Sequence, residues 1–248
     1  MKFKNGRGER VVAIIQARMG SLRLPGKVLA EIDGETVLSH IINRIKRVNL
    51  IKDVIVAVTP DPADEAIIKE SSRLKVPSVI GDSYDVLARF RMAARIMRAE
   101  TIVRITADNP LISSEILTRL INVRKKYNYD YVIMENLPVG TGAEVLTMRT
   151  LIMLDRITSL QRHREHVTLY IKENPNDFDC KFVSAPVNVH RPNYRLTVDT
   201  REDLEIIRAI YNDLPEKKTA YSLNQIVKFL DQHPEYMDFY FEEQKVAA

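Results

Sequence analysis

Tryptophan is absent from this chain, and its 248 residues hold a single cysteine, Cys180. No intrachain disulfide can form, which sets aside the disulfide-stapled secreted scaffolds and favours a reducing compartment. Cys180 has no accompanying motif and reads as a small packed side chain. Dense basic clusters with interleaved aromatics are also missing. The 37 Lys and Arg are mostly dispersed among 33 Asp and Glu, so a nucleic-acid partner is not expected. The net charge of +4 and a pI near 9.0 still suit smaller anions. Unbroken aliphatic runs such as Val11 to Ile15 fall far below the ~20 residues of a membrane span. No apolar core follows the basic N-terminus in the manner of a signal peptide. With 45% hydrophobic and 28% charged residues, the expectation is an ordinary globular protein of the cytoplasm, without a membrane partner.

What is present is an alternation. Residues 11–15 are continuously apolar, the pattern of a strand buried on both faces of a parallel sheet. In 36–48, Val37, Ile41, Ile42, Ile45 and Val48 recur at helical spacing. The pair then repeats, with strands predicted at 53–59, 76–80, 101–106 and 131–134 and helices at 61–74, 83–99 and 113–127. Pro62, Asp64 and Glu65 suit a helix N-terminus, and Ser113 or Ser114 suits a cap. This is an α/β fold with a mostly parallel central sheet. After residue 134 the pattern loosens. Strands are expected at 143–148, 179–185 and 194–198 around a helix near 149–173, followed by helices at 201–213 and 222–231. Residues 1–10 read as a flexible N-terminal arm and 11–231 as a single domain, with 135–195 as a small inserted α+β arm. Residues 232–248 read as a C-terminal tail crowded with Tyr236, Phe239, Tyr240 and Phe241.

The first strand runs into Gln16-Ala17-Arg18-Met19-Gly20-Ser21-Leu22-Arg23-Leu24-Pro25-Gly26-Lys27. Three cations, two glycines and a serine lie where open α/β sheets bind ligands. Glycines let backbone N–H groups approach an anion, and Arg and Lys neutralise it. The expected guest is a polyphosphate. The loop is not a P-loop, because five residues separate Gly20 from Gly26 and Val28 follows Lys27. The dinucleotide fingerprint G-x-G-x-x-G is absent as well. Two aspartates stand at other strand ends, Asp108 in Thr106-Ala107-Asp108-Asn109-Pro110-Leu111 and Asp199 in Arg195-Leu196-Thr197-Val198-Asp199-Thr200. Each has two readings. Asp108 is either part of a helix-entry turn or a metal ligand. Asp199 is either the N-cap of the next helix or a second ligand for one Mg²⁺–nucleotide.

Several segments, taken in order, resemble the SpsF-like cytidylyltransferases, relatives of the CMP-Kdo and CMP-sialic acid synthetases. They are Ile14-Ile15-Gln16-Ala17-Arg18-Met19-Gly20-Ser21 with Arg23-Leu24-Pro25-Gly26-Lys27-Val28-Leu29, then Asp85-Val86-Leu87-x-Arg89 and Thr106-Ala107-Asp108-x-Pro110-Leu111. Gly140-x-x-x-Glu144-Val145, Arg164-Glu165-His166-Val167-Thr168 and Thr197-Val198-Asp199-Thr200-x-Glu202-Asp203-Leu204 complete the set. The resemblance implies a Rossmann-like, GT-A-type nucleotidyltransferase domain that joins CTP to an acidic sugar or similar small anionic acceptor and releases pyrophosphate. By position it implies that Arg18, Ser21, Arg23 and Lys27 hold the triphosphate. Ala17, Thr59, Gly81, Asp82, Asp85 and Ala107 complete the nucleotide site, and Asp108 and Asp199 hold Mg²⁺. Arg18, Lys27, Asp108 and Asp199 form the catalytic set; Glu144, Arg164, Glu165, His166 and Arg195 are the acceptor residues. It further implies a homodimer paired through 135–195. Leu22 departs from the family pattern, which commonly has Ser or Thr there.

The implied reaction needs positioning and charge neutralisation rather than a protein nucleophile. That agrees with a sequence without an evident Ser-His-Asp or Cys-His set. His166 reads either as a base near neutral pH or as a packed helical histidine. Arg191 and Arg195 read either as charge for an anionic acceptor or as a solvated basic stretch. Two other functions fit the same residues. One is a GT-A glycosyltransferase; Asp177-Phe178-Asp179 meets its Asp-x-Asp pattern only formally, late in the chain and in the irregular section where such a metal motif is not expected. The other is a nucleotide-binding protein without turnover.

Overall fold

The structure is a computed structural model that describes residues 9–214 and 221–237. Most of the expected N-terminal arm, and Phe239, Tyr240 and Phe241 of the tail, lie outside the described residues. In chain order the elements are β1 (Val11–Gln16), β2 (Glu31–Ile32), β3 (Glu35–Thr36), α1 (Val37–Ile45), β4 (Asp53–Val58), α2 (Glu65–Arg73), β5 (Ser78–Ile80), α3 (Val86–Ile96), β6 (Thr101–Thr106) and α4 (Ser114–Tyr127). Then follow β7 (Tyr131–Glu135), β8 (Glu144–Thr147), α5 (Met148–Ile157), α6 (Gln161–Glu165), α7 (Leu169–Glu173), β9 (Cys180–Ser184), α8 (Arg201–Asp213) and α9 (Leu223–Gln232).

Seven strands form one sheet in the order β5-β4-β1-β6-β8-β7-β9, and β2 and β3 make a separate short hairpin. β8 runs antiparallel to both of its neighbours, and the other pairings of the large sheet are parallel. β1 is central, and its uninterrupted apolar run serves both faces. Val11, Ala13 and Ile15 join the core under α1, α4, α8 and α9, while Val12 and Ile14 join the core under α3 and α5. Side chains alternate across a strand, so a strand covered on both faces has no polar position to spare.

Residues 135–195, expected as an insertion on the main sheet, are part of that sheet's layer. They supply β8 and β9 to the main sheet, with α5, α6 and α7 packed around them. The single helix expected near 149–173 is three short ones. Thr158 breaks it in extended conformation, and its hydroxyl caps the Leu154 carbonyl at 2.7 Å. Arg164 donates to the Asp155 and Thr158 carbonyls at 3.4 and 3.1 Å, serving helix-end acceptors that have no partner within the helix. The strand expected at 194–198 is an extended segment tied to the sheet region by one parallel bridge, Val139 to Arg195. Gly140 makes this close approach feasible. Its φ is +92°, and a Cβ there would lie 2.8 Å from the Leu196 carbonyl and the Thr197 nitrogen.

Candidate active site

The chain leaves β1 toward β4 on one side and later returns to β6 on the other, which opens a crevice beyond the carboxyl ends of β1 and β6. Ala17 N–H bonds the Ala57 carbonyl at 3.1 Å and Ala107 N–H bonds the Gln16 carbonyl at 3.0 Å, so both exit loops start in fixed register. The basic loop folds back on itself. Ser21 and Gly26 N–H groups both donate to the Met19 carbonyl, at 2.9 and 3.0 Å, and Gly26 takes the left-handed conformation with φ +75°.

A buried aspartate anchors this loop from behind. Asp64, 1% exposed, accepts from the Met19 N–H at 2.6 Å, the Thr59 N–H at 2.9 Å and the Thr59 hydroxyl at 2.6 Å. The sequence reading placed Thr59 at the nucleotide and gave Asp64 only to the helix dipole. In the fold they serve each other.

The two strand-end aspartates meet. The Asp108 carbonyl accepts from Val198 N–H at 2.8 Å and from the Thr197 hydroxyl at 3.2 Å, which brings the 197–199 segment alongside β6. Neither aspartate is a helix cap. Ser113 caps α4, and Thr200 caps α8 in a capping box closed by Asp203. Both carboxylates are therefore free to face the crevice. Lys27 reaches between them, its Nζ 3.0 Å from Asp108 Oδ2 and 2.8 Å from Asp199 Oδ1. Asp199 also meets Arg23 at 3.1 Å and Arg195 at 2.5 Å. Burial works against the charged form of Asp199, but Lys27, Arg195 and Arg23 outweigh it and hold the carboxyl below its ordinary range. Arg195 stands behind Asp199 and is shared with Asp203, its Nε 3.2 Å from Asp203 Oδ1.

The resulting cleft is about 370 Å³. Of the residues singled out in the sequence, Ala17, Arg18, Ser21, Arg23, Lys27, Ala107, Asp108, Glu165, His166 and Asp199 line it. Leu22, at the position that departs from the family pattern, is fully exposed at the cleft. Gln16, Thr106 and Arg89 also line it. Arg89 is a cation on the cleft wall that the sequence does not single out as a site residue, although it lies inside one of the quoted motifs. It is 3% exposed, it donates to the Asp82 and Ser83 carbonyls, and its buried Nε has no partner. Burial and the neighbouring Arg18 both depress its proton affinity. A buried cation beside a second cation, held by carbonyls and not by a carboxylate, is a setting that an anion would relieve.

Four predicted nucleotide residues sit behind this wall and do not line the cleft. Thr59 is one. Gly81 leaves room for Arg89, whose Cγ would lie 2.8 Å from a Cβ at that position. Asp82 accepts from the Tyr84 and Asp85 N–H groups at 2.8 and 2.9 Å. Asp85 caps α3 through the Ala88 N–H and receives Arg164 at 2.6 Å. Arg164 also holds Asp155 at 2.8 Å, so it clamps α6 onto α3 and α5. That clamp sets the place of Glu165 and His166 on the cleft wall.

Glu144 lines a second cleft of about 470 Å³ that shares Thr106 with the first. Its carboxylate accepts from Arg104 at 2.7 Å, the Thr168 hydroxyl at 2.7 Å and the Tyr131 hydroxyl at 2.9 Å, with Lys172 at 2.5 Å. Burial alone would raise its pKa, but Arg104, Lys172 and the Thr168 hydroxyl bring it down to about 2. Burial pushes the Tyr131 hydroxyl well above its ordinary value.

Asp177 and Asp179 precede β9, at the amino ends of the parallel strands and away from both clefts. An Asp-x-Asp metal site of the glycosyltransferase kind therefore finds no support in the fold.

Comparison with known proteins extends the likeness over the chain. The sequence pattern of one family, described as cytidylyltransferase, matches residues 12–244. The spore coat polysaccharide biosynthesis protein SpsF of Bacillus subtilis is 34% identical over 230 residues, covering 91% of this chain and 95% of the relative. The 3-deoxy-manno-octulosonate cytidylyltransferase of Geobacter metallireducens is 36% identical over a shorter 113 residues, 45% of this chain and 43% of the relative. Among solved structures, a cytidylyltransferase from Leptospira borgpetersenii superposes with a TM-score of 0.85 at 29% identity, over 92% of this chain and 97% of that one. Since the match runs from the first strand past the last described helix and is not confined to the basic loop, the chain is a member of the cytidylyltransferase family.

Proposed function

We propose that the protein transfers CMP from CTP to a small anionic acceptor, with acidic sugars first in the class, and releases pyrophosphate to make an activated sugar for polysaccharide assembly. The observation that carries this reading is the convergence of Arg18, Ser21, Arg23, Lys27, Asp108 and Asp199 on one cleft at the sheet's switch point. The names of the Bacillus and Geobacter relatives support the substrate class.

In this reading Arg18, Arg23 and Lys27 neutralise the β- and γ-phosphates, and the backbone N–H groups of the loop cradle them. Arg89 adds a buried charge beside Arg18. The acceptor enters through the second cleft, where Arg104, Asn109, Asn136 and Lys172 offer one charge-bearing and hydrogen-bonding wall. Its oxygen attacks the α-phosphorus in line, and pyrophosphate departs on the opposite side toward the basic loop. In the same reading His166, exposed on the wall of the first cleft, takes the acceptor's proton.

Asp108 and Asp199 fit a divalent cation, because both carboxylates reach one cationic atom, Lys27 Nζ, and the donor set is oxygen only. Bound there with the nucleotide, Mg²⁺ supplies charge neutralisation on the transferring phosphoryl group. A homodimer is also part of the reading. Exposed Met92 and Ile96 on α3, Met153 and Ile157 on α5, and the adjacent Leu160 support it, and Ile157→Lys is expected to shift the sedimentation coefficient to that of a monomer. Among the described residues no helix is long and apolar enough to cross a membrane, which agrees with work in the cytoplasm.

The test has two parts. Thermal unfolding with each of the four nucleoside triphosphates, with and without Mg²⁺, should show a shift for CTP that needs Mg²⁺ and is lost in Asp108→Ala. A ligand at ~100 times its dissociation constant stabilises by about 2.7 kcal/mol, well within reach of the assay. Pyrophosphate release with CTP and a panel of acidic sugars then identifies the acceptor. No shift with any nucleotide, and no pyrophosphate with any acceptor, would overturn the reading.

A further inference from the structure

Lys27 is the least exposed of the three cations in the basic loop. Its side chain is 12% exposed, against 53% for Arg18 and 63% for Arg23. It alone joins the two strand-end carboxylates, at 3.0 and 2.8 Å. Of the two carboxylates, Arg23 and Arg195 reach Asp199 alone, and among the described residues no other cation pairs with Asp108. Beyond Lys27, the Asp108 carboxylate accepts from the Thr106 hydroxyl at 2.5 Å. The ammonium thus occupies the position where both carboxylates converge. A lysine is suited to leave such a place, being a compact point charge on a flexible four-carbon stem, without the fixed fork of arginine.

We infer that Lys27 is a displaceable counter-ion. In the empty protein it bridges the Asp108–Asp199 pair, and it transfers to the phosphates of an incoming nucleoside triphosphate, so that a divalent cation gains the two carboxylates fully only when the nucleotide arrives. The identity of the ligands rests on the proposed function above; the placement of Lys27 rests on the geometry alone. The exchange adds one positive charge at the pair. One positive charge leaves the pair, a doubly charged ion replaces it, and the lysine meets a polyanion. Coupling of this kind is reciprocal, so whatever weakens metal binding to the free protein is returned as a stronger hold once the nucleotide has drawn the lysine away. The free protein thereby loads metal poorly without substrate, and Asp108 is not left without a cation.

The test uses Mn²⁺ as the probe and the full chain without nucleotide. Free Mn²⁺ is measured by electron paramagnetic resonance as protein is titrated. Wild type is expected to bind weakly, Lys27→Met at least tenfold more tightly, and the gain should vanish in Lys27→Met combined with Asp108→Asn. Lys27→Arg keeps a cation against the pair and is expected to stay at the wild-type value; it also serves if the methionine variant folds poorly. Calorimetry with CTP in EDTA should move the other way, with Lys27→Met binding at least tenfold more weakly. A merely structural lysine would not shift the two affinities in opposite directions. Equal Mn²⁺ affinity in wild type and Lys27→Met, or a gain that survives Asp108→Asn, overturns the inference. The Mn²⁺ measurement involves no nucleotide, so it judges Lys27 even if pyrophosphate release disproves CTP as the donor.

Discussion

Asp64→Ala removes the carboxylate that holds the basic loop to the end of β4. The side chain is 1% exposed and accepts three hydrogen bonds, from Met19 N–H, Thr59 N–H and the Thr59 hydroxyl. Hydrogen bonds to a charged acceptor contribute about 1.5–3 kcal/mol each, and a buried donor left without a partner costs about 1–3 kcal/mol. The Thr59 hydroxyl can turn to another acceptor, so two N–H groups carry most of the loss, for a total of about 3–5 kcal/mol. In a domain of this size each kcal/mol moves Tm by roughly 2–4 °C, which gives a drop on the order of 10 °C in a thermal melt. Function should suffer beyond stability, because Met19 lies between Arg18 and Ser21 and its carbonyl closes the loop. At a temperature where the variant is fully folded, KM for the nucleotide is expected to rise about tenfold, equivalent to ~1.4 kcal/mol of lost preorganisation. Thr59→Val deletes only the hydroxyl donor and should cost about 1 kcal/mol, with little change in KM. An Asp64→Ala protein that melts within ~2 °C of wild type and keeps its KM would refute the reasoning.

Three further outcomes follow from other parts of the site. Glu144 sits at about 2 in the fold against an ordinary 4.5. Its ionised form therefore contributes about 3 kcal/mol above pH ~5, and this is lost as pH falls from 4.5 toward 2. Denaturant melts across that range should show the slope in wild type and a smaller one in Glu144→Gln. Arg89→Met should lower nucleotide affinity at least tenfold by calorimetry yet leave Tm within a few degrees, since the guanidinium is buried without a carboxylate partner and its Nε is unbonded. Gly140→Ala forces a Cβ to 2.8 Å from the Leu196 carbonyl at a φ of +92°. A cost of about 2–4 kcal/mol is expected in a chemical melt, together with reduced turnover because the displaced segment carries Asp199.

The elements that sequence reading placed best are those whose pattern is local. β6 was expected at 101–106 and spans those residues, because TIVRIT is bounded by a tight turn and an Asx-Pro turn. α4 is capped by Ser113, one of the two serines at the predicted helix start. The 149–173 region failed for a non-local reason. Arg164 and the Thr158 hydroxyl satisfy carbonyls that would otherwise have favoured a continued helix, and Arg164 is directed by Asp85 on a distant segment. The cleft shows the same division. Arg18, Arg23 and Lys27 are legible because charge density after a buried strand is unusual. Asp199 could be told from a helix cap only once Thr200 and Asp203 were seen to close the capping box without it. Arg89 was hidden by its own helix, where Val86, Leu87 and Phe90 make it look like one polar gap in an apolar face.

The position of β8 has a consequence for how the protein is made. β7 touches no earlier strand, since both of its neighbours, β8 and β9, come later in the chain. β6 likewise waits for β8 on one edge. At ribosomal rates of ~5–20 residues per second, the growing chain carries bare strand edges for several seconds, and such edges are templates for pairing with other chains. Arg104 stands in the middle of the waiting β6 edge, and its charge discourages a stray strand from adding there. Its register partner when the sheet closes is Glu144, which accepts that charge at 2.7 Å. The ion pair on the wall of the second cleft is thus also the point at which a guarded edge is handed to its rightful neighbour.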